Sequence, residues 1–352
     1  MGLTAPDPTT VAAVVAGEGR GRRRRRGYLR YAGGKVAGSV GSLAFMLLVN
    51  FFLFRVLPGD PARTLGRGRL STPEQVQAFN DTYGLQQSTG DQFVTFLKNT
   101  FSGDLGYSIL YRKPVSEILV ERLWPTLLLV GSATLFAALF GIWIGIRGAW
   151  NRGGKFDRYV STGSSLTFYS MPEWWLGLVL IAVLGVGMGP LPGLFPTGGL
   201  HSVGVDPTSL EGVLDTMWHL ALPVLTLTIA YLADYALIMR GSLIDELGSD
   251  YLTAAKAKGL RDIAVRNRHA VPNALLPTAT IVALDFGFLV AGAITVETIF
   301  SIPGLGLLTT DALRVPDYWL LQGVFLLTSV GVIMANLAAN LLYGWLDPRV
   351  RT

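Results

Sequence analysis

Six apolar runs dominate the chain: Val36 to Val56, Thr126 to Ile146, Tyr159 to Val186, His219 to Met239, Thr278 to Ile299 and Trp319 to Trp345. Each approaches or exceeds the ~20 residues that a helix needs to cross the hydrocarbon core of a bilayer. The composition agrees, because half of the residues are hydrophobic and 15% are charged, whereas soluble domains carry about a quarter charged residues and disordered chains need low hydrophobicity. The expectation is an all-α polytopic membrane protein with six transmembrane helices. The third run is polar in its first half and apolar only afterwards.

Arg22 to Arg26 ahead of the first run resemble the start of a secretory signal. The apolar stretch exceeds the roughly 7–15 residues of a signal core and no small-residue cleavage site follows, so an uncleaved span is expected. Residues 1–35 read as a basic tail, disordered over 1–27. Twenty of the 29 Lys and Arg residues fall on one side of these spans: in this tail, between runs two and three, between runs four and five, and at the carboxyl end. Eight fall on the other side, and Arg55 lies near the outer end of the first run. The positive-inside rule therefore puts both termini in the cytoplasm. Residues 57–124 form an external cap, 125–346 the membrane core with a cytoplasmic loop over 241–277, and 347–352 a short cytoplasmic tail.

The net charge of +5 does not point to nucleic acid, since the basic residues flank apolar runs instead of interleaving with aromatic ones. The chain has no cysteine, which excludes disulfides, thiolate metal sites, iron–sulfur ligation and cysteine nucleophiles. His201, His219 and His269 lie in three different segments with no ligand spacing, so no metal site is expected. A phosphate loop needs a Gly-Lys-Ser/Thr end. The only Gly-Lys pairs, Gly34-Lys35 and Gly154-Lys155, are followed by Val36 and Phe156, and no Gly-x-Ser-x-Gly elbow occurs. No catalytic residue and no cofactor is therefore assigned to this chain, and any ATP hydrolysis through a phosphate loop has to come from another one.

The loop between runs four and five is more than a linker. Ser249 or Asp250 can cap a helix, Lys256 and Lys258 suit its last turn, and Gly259 supplies a left-handed stop. On that helix Tyr251, Ala254, Ala255 and Lys258 recur at helical spacing and give a face made largely of alanine. Small side chains allow close approach of a partner's backbone, so the face suits a groove on another protein. A helix lying on the membrane surface through its lysines fits the same residues equally well. A second helical piece, about Asp262 to His269, leads through Pro272 and Pro277 back into the membrane.

The run Ala254-Ala255-Lys256-Ala257-Lys258-Gly259, followed by Arg268-His269-Ala270 and Asn273-Ala274-Leu275-Leu276-Pro277, resembles the EAA loop of permease subunits from bacterial ATP-binding cassette importers, in its dipeptide and oligopeptide form. Thr253 stands where the acidic residue of that motif would be, as peptide-type permeases also have it. Further tags resemble the B-type permease of these importers: Leu57-Pro58-Gly59-Asp60-Pro61, Gly103 to Ser108, Glu121 to Thr126, Val296 to Gly306, Asp317-Tyr318 and Leu346 to Arg349. The resemblance implies an inner-membrane subunit that pairs with a second, C-type permease. It also implies two ATPase subunits that hold ATP and Mg2+, an extracytoplasmic substrate-binding protein and a peptide cargo. By the same resemblance Asp250, Tyr251, Thr253, Ala254, Ala255, Lys256, Lys258, Gly259, Leu260, His269 and Pro277 would couple to the ATPases. Nickel, glutathione or haem are alternative cargoes within the same group.

Ionisable residues inside a bilayer usually line a pathway or pair with one another. Glu173, Asp234, Asp285 and Glu297 qualify. Glu173 and Asp285 are expected either to line a water-accessible cavity that accepts a charged peptide terminus, or to pair with the partner permease. Glu297 lies in the family-like outer segment, where the resemblance implies an external gate. A secondary transporter driven by an ion gradient through Asp234, Asp285 and Glu173 is the rival reading. Against it, the sequence shows no repeated pair of broken helices of the kind such transporters carry. Gly141-x-x-x-Gly145 and Gly287-x-x-x-Ala291 are expected to pack helices within the subunit.

Overall fold

A computed structural model describes residues 8–56, 88–188, 191–287, 289 and 293–346, almost entirely as helices. Four of them are long and apolar enough to cross a membrane. Helix α1 spans Pro8–Phe51 and ends in a π-helical turn over Phe52–Val56. After α2 (Thr89–Ser102) come α3 (Val115–Trp150), the bent pair α4 (Phe156–Tyr169) and α5 (Glu173–Val186), and α6 (Leu210–Leu247). A two-residue antiparallel ladder, Gly187–Met188 against Leu191–Pro192, sits between α5 and α6. The chain continues through α7 (Asp250–Ala257), α8 (Asp262–Val265), a π-helical segment over Arg266–Ala270 and α9 (Val271–Gly287). It ends with α10 (Ile294–Ile299), α11 (Leu305–Arg314) and α12 (Tyr318–Leu346).

The first, second, fourth and sixth runs are the long helices that hydropathy predicts, each extending beyond its apolar stretch. Helix α1 reaches back to Pro8, where the sequence suggested a disordered tail to residue 27. One run differs in kind. The third bends by 105° across Ser170-Met171-Pro172, because Pro172 has no N–H to continue the ladder of α4 and instead opens α5. In the fifth run the described helices are α9, up to Gly287, and α10, from Ile294, with residues 288 and 290–292 outside the described residues. Among the described residues the expected spans thus comprise four long apolar helices and one bent pair. A broken helix, which hydropathy alone did not reveal, is therefore present in this fold. Residues 57–87 of the cap, the Leu57 to Pro61 tag, most of the Gly287-x-x-x-Ala291 motif and the tail after Leu346 lie outside the described residues.

The centre of the bundle is α3 against α6. Backbone approach is so close there that a Cβ on Gly145 would lie 2.7 Å from the Ala236 carbonyl oxygen, and one on Gly141 would lie 2.8 Å from Cβ of Tyr235. The glycine pair packs within the subunit, as its spacing suggested. Helix α1 runs antiparallel along α12: the Tyr31 hydroxyl donates to the Asn340 carbonyl (3.2 Å) and the Asn50 amide to the Gln322 carbonyl (3.1 Å). Part of the expected cap is described as α2, started by Ser88, whose hydroxyl accepts from the Asp91 amide, and stopped by Gly103 at φ +80°. Its apolar side, Phe93, Phe96 and Leu97, covers Met46, Leu47 and Phe51 of α1.

Candidate functional site

Two features stand out, a braced helix at one end of the bundle and an acidic cavity in its middle. Helix α7 follows α6 after a turn of two residues. Ser249 is its N-cap by backbone position, but its hydroxyl donates back to the Glu246 carbonyl (2.7 Å) instead of capping. Gly259 at φ +80° closes the helix end in the left-handed conformation that only glycine adopts freely. Both the helix and its stop are where the sequence put them.

The orientation of α7 departs from the sequence reading. Leu252 and Ala255 point inward and join Met239 and Leu243 of α6, Ala149 of α3, and Val265, Ala270 and Ala274 in one apolar core. Ala255 is therefore not on the outer face with Ala254; a helix with Leu252 and Ala255 at i and i+3 buries that pair first. Asp250, Tyr251, Thr253, Ala254, Lys256, Ala257, Lys258, Gly259 and Leu260 remain exposed. Tyr251 pins the helix: its hydroxyl donates to the Glu246 carboxylate, lies 3.2 Å from the His269 carbonyl, and accepts from Asn273 Nδ2 (2.9 Å). Burial and the neighbouring Glu246 raise the pKa of this phenol above its usual range, so it stays protonated and keeps donating. His269 contributes its carbonyl to this knot, while Pro277 sits inside α9 with its side chain exposed. The module is rigid within and presents a small-residue, basic ridge without.

In the middle of the bundle Glu173, Asp234 and Asp285 line one cavity of about 440 Å3, together with Tyr169, Tyr231 and Tyr235. Glu173 opens α5 directly after the bend, Asp234 comes from α6 and Asp285 from the last turn of α9. Asp285 accepts from the Tyr235 hydroxyl (2.6 Å) and Glu173 from the Thr295 hydroxyl (2.5 Å). The three carboxylates, chosen from the sequence by depth alone, are thus brought together. The tyrosines were missed, because nothing in the sequence marks an aromatic residue as facing a cavity instead of a core.

Glu297 stands apart from that cavity and is fully buried. Its carboxylate accepts from the Thr126 hydroxyl (2.9 Å) and from the amides of Gly306 (2.7 Å) and Leu307 (3.1 Å). The same Thr126 oxygen accepts from the Leu305 amide (2.8 Å). Thr126 and Glu297 together supply acceptors to the first amides of α11, which have no partner inside their own helix. Gly304 and Gly306 are needed here, since a Cβ would come within 2.3 Å and 3.0 Å of the Glu297 Oε2. The contacts of Glu297 are those of a helix cap, not of a group facing a passage. Asp317 plays the same part for α12, accepting from the Leu320 amide (3.2 Å), the Ser108 hydroxyl (2.7 Å) and the Ile109 amide (2.8 Å). Two of the sequence tags, Gly103 to Ser108 and Asp317-Tyr318, are thereby parts of one joint.

The family model described as binding-protein-dependent transport system inner membrane component matches residues 137–352. Its companion for the amino-terminal part of such membrane components matches residues 28–130. The dipeptide transport system permease protein DppB of Escherichia coli is 37% identical over 317 residues, covering 86% of this chain and 93% of that protein. The glutathione transport system permease protein GsiC of Pectobacterium atrosepticum is 35% identical over 323 residues, 92% and 99% of the two chains. The oligopeptide transport system permease protein AppB of Bacillus subtilis is 34% identical, with 89% and 96% covered. With a long apolar bundle, a braced small-residue helix at one end and two family models spanning nearly all of it, this chain belongs to the binding-protein-dependent transport system inner membrane components.

Proposed function

We propose that this chain is the B-type permease of an ATP-driven importer of dipeptides and oligopeptides, forming the path across the bacterial inner membrane with a second permease. Two ATPase subunits, which hold ATP and Mg2+, engage the exposed ridge of α7, and a binding protein delivers cargo on the opposite side. Both termini lie on the ATPase side, where twenty of the 29 Lys and Arg residues gather. The observation that carries the coupling role is the construction of α7, braced inward by Leu252 and Ala255 and tied by Tyr251, yet bare on the ridge of Thr253, Ala254 and Lys256. A rigid helix with small outward residues is what a groove on a moving partner can grip. ATP binding then biases a bundle with two arrangements, inward-open and outward-open.

Glu173, Asp234 and Asp285 serve as the polar stretch of that path, receiving the ammonium end of a peptide beside tyrosine rings that favour cations. The names of the relatives support peptide cargo and also favour a second reading, glutathione, which is itself a peptide with a free ammonium group. Uptake by the complete assembly in liposomes tests the reading. Uptake of a labelled dipeptide is expected only with ATP and binding protein. The Glu173→Gln, Asp285→Asn double variant should lower it about tenfold, equal to ~1.4 kcal/mol of lost cargo stabilisation. Uptake without ATP along an ion gradient would contradict the importer reading.

A further inference from the structure

The mechanism needs a connection between the α7 module, at one end of the bundle, and Glu173 in its middle. Helix α4 links these two places: it begins at Phe156, six residues after Trp150, whose ring lies 5.7 Å from the Arg266 guanidinium of the module, and ends at the 105° bend that leads into Glu173. Its contacts are of an unusual kind. Against α3 it uses small residues, so that a Cβ on Gly148 would lie 2.1 Å from the Ser161 Oγ. The hydroxyls of Ser161 and Ser165 are buried on this face and have no hydrogen-bond partner among the described residues. The helix is wound as a π-helix from Phe156 to Ser164, a rare form that is frequent at functional sites. Few directional bonds therefore hold α4 in one register against α3.

One strong bond does hold it. Asp157 is buried, with 4% of its surface exposed. It receives the Arg240 guanidinium at two points, Nε to Oδ1 at 2.5 Å and Nη2 to Oδ2 at 3.0 Å, and also accepts from the Gly153 amide at 2.9 Å. Arg240 is on α6, in the turn that carries Met239 and Leu243, the two residues against which Leu252 and Ala255 of α7 pack. Among the described residues this is the one ion pair made by α4. A two-point guanidinium–carboxylate contact fixes direction as well as distance.

We infer that the Asp157–Arg240 pair is the tether through which displacement of the α7 module pulls α4 and so repositions the bend and Glu173. The inference rests on the importer reading above. The pair positions other groups and touches neither cargo nor nucleotide. A purely architectural staple would fail differently: without it the subunit would assemble poorly and every activity would fall together.

The test uses the complete assembly of both permeases, the ATPases and the binding protein, reconstituted in liposomes. It compares wild type with Asp157→Asn, Arg240→Lys and the exchange of Asp157→Arg with Arg240→Asp. Asp157→Asn is expected to assemble and to keep basal ATP hydrolysis within about twofold, while stimulation by cargo-loaded binding protein and uptake both fall about tenfold or more. The exchange should restore most of both, and Arg240→Lys, which keeps the charge but not the fork, should fall in between. Wild-type uptake in Asp157→Asn would overturn the inference. So would parallel loss of assembly and basal hydrolysis in Asp157→Asn and Arg240→Lys with no recovery in the exchange. Failure of the importer reading shows elsewhere, as uptake without ATP in the wild-type assembly.

Discussion

Replacing Ala254 with tryptophan is expected to abolish uptake while the subunit stays folded in the membrane. Ala254 is exposed on the ridge of α7, between Thr253 and the inward Ala255, and contacts none of the apolar core beneath the helix. An indole there costs the isolated subunit little, since surface changes away from special features lie within about 0.5 kcal/mol. In a docked assembly it holds the helix away from any groove shaped for a methyl group. Uptake falling about a hundredfold, or ~2.7 kcal/mol of lost coupling, is the expected size. Ala255→Phe, one residue along, reports a different defect. Its side chain enters the core shared by Met239, Leu243 and Leu252, where overpacking costs about 1–3 kcal/mol, so the melting temperature of the subunit should drop as well. Thermal unfolding of the two variants beside uptake separates docking from packing. Equal melting temperatures for both would mean that α7 does not sit on its core as described.

The second large effect concerns the fold at the other end of the bundle. Glu297→Ala removes the acceptor for the Thr126 hydroxyl and for the amides of Gly306 and Leu307 in one step. Each buried donor left without a partner costs about 1–3 kcal/mol, so the variant should lose roughly 3 kcal/mol or more of stability. That is a substantial share of the ~5–15 kcal/mol a protein of ordinary stability has. The expected readout is a strong fall in membrane abundance and in the thermal midpoint of the detergent-solubilised subunit. Gly304→Ala should act in the same direction, because its Cβ would meet the Glu297 Oε2 at 2.3 Å and Thr126 Oγ1 at 2.5 Å. If Glu297→Ala were as stable as wild type while uptake changed its cargo preference, Glu297 would be a passage residue and not a cap.

Several of these elements are legible from sequence because the forces that make them are local. The apolar stretches within α3, α6 and α12 stand out by length and hydropathy alone, and Gly259 marks the end of α7 because a left-handed stop favours glycine over other residues. The break in the third run is less visible. Hydropathy averages over Ser170-Met171-Pro172, although Pro172 was a usable signal that a helix begins there. The inward turn of Ala255 was hidden by its resemblance to its neighbour Ala254; the Leu252 spacing three residues earlier is what decides between them. Long-range pairs escape any local pattern. Arg240 looks like one more basic flank of a span until Asp157, 83 positions earlier, is seen beside it. Asp285 and Tyr235 likewise meet from 50 positions apart.

The account stands most directly on the coupling of α7 to ATPase subunits. The deciding measurement is to extract the tagged chain from its native membrane in mild detergent and identify by mass spectrometry what accompanies it, for the wild type and for Ala254→Trp. Stoichiometric recovery of a second permease and of phosphate-loop ATPases is predicted for the wild type, with the ATPases lost and the second permease kept in the variant. Recovery of the wild-type chain alone, still moving peptide in liposomes without ATP, would contradict it and would make Glu173, Asp234 and Asp285 the carboxylates of a gradient-driven carrier.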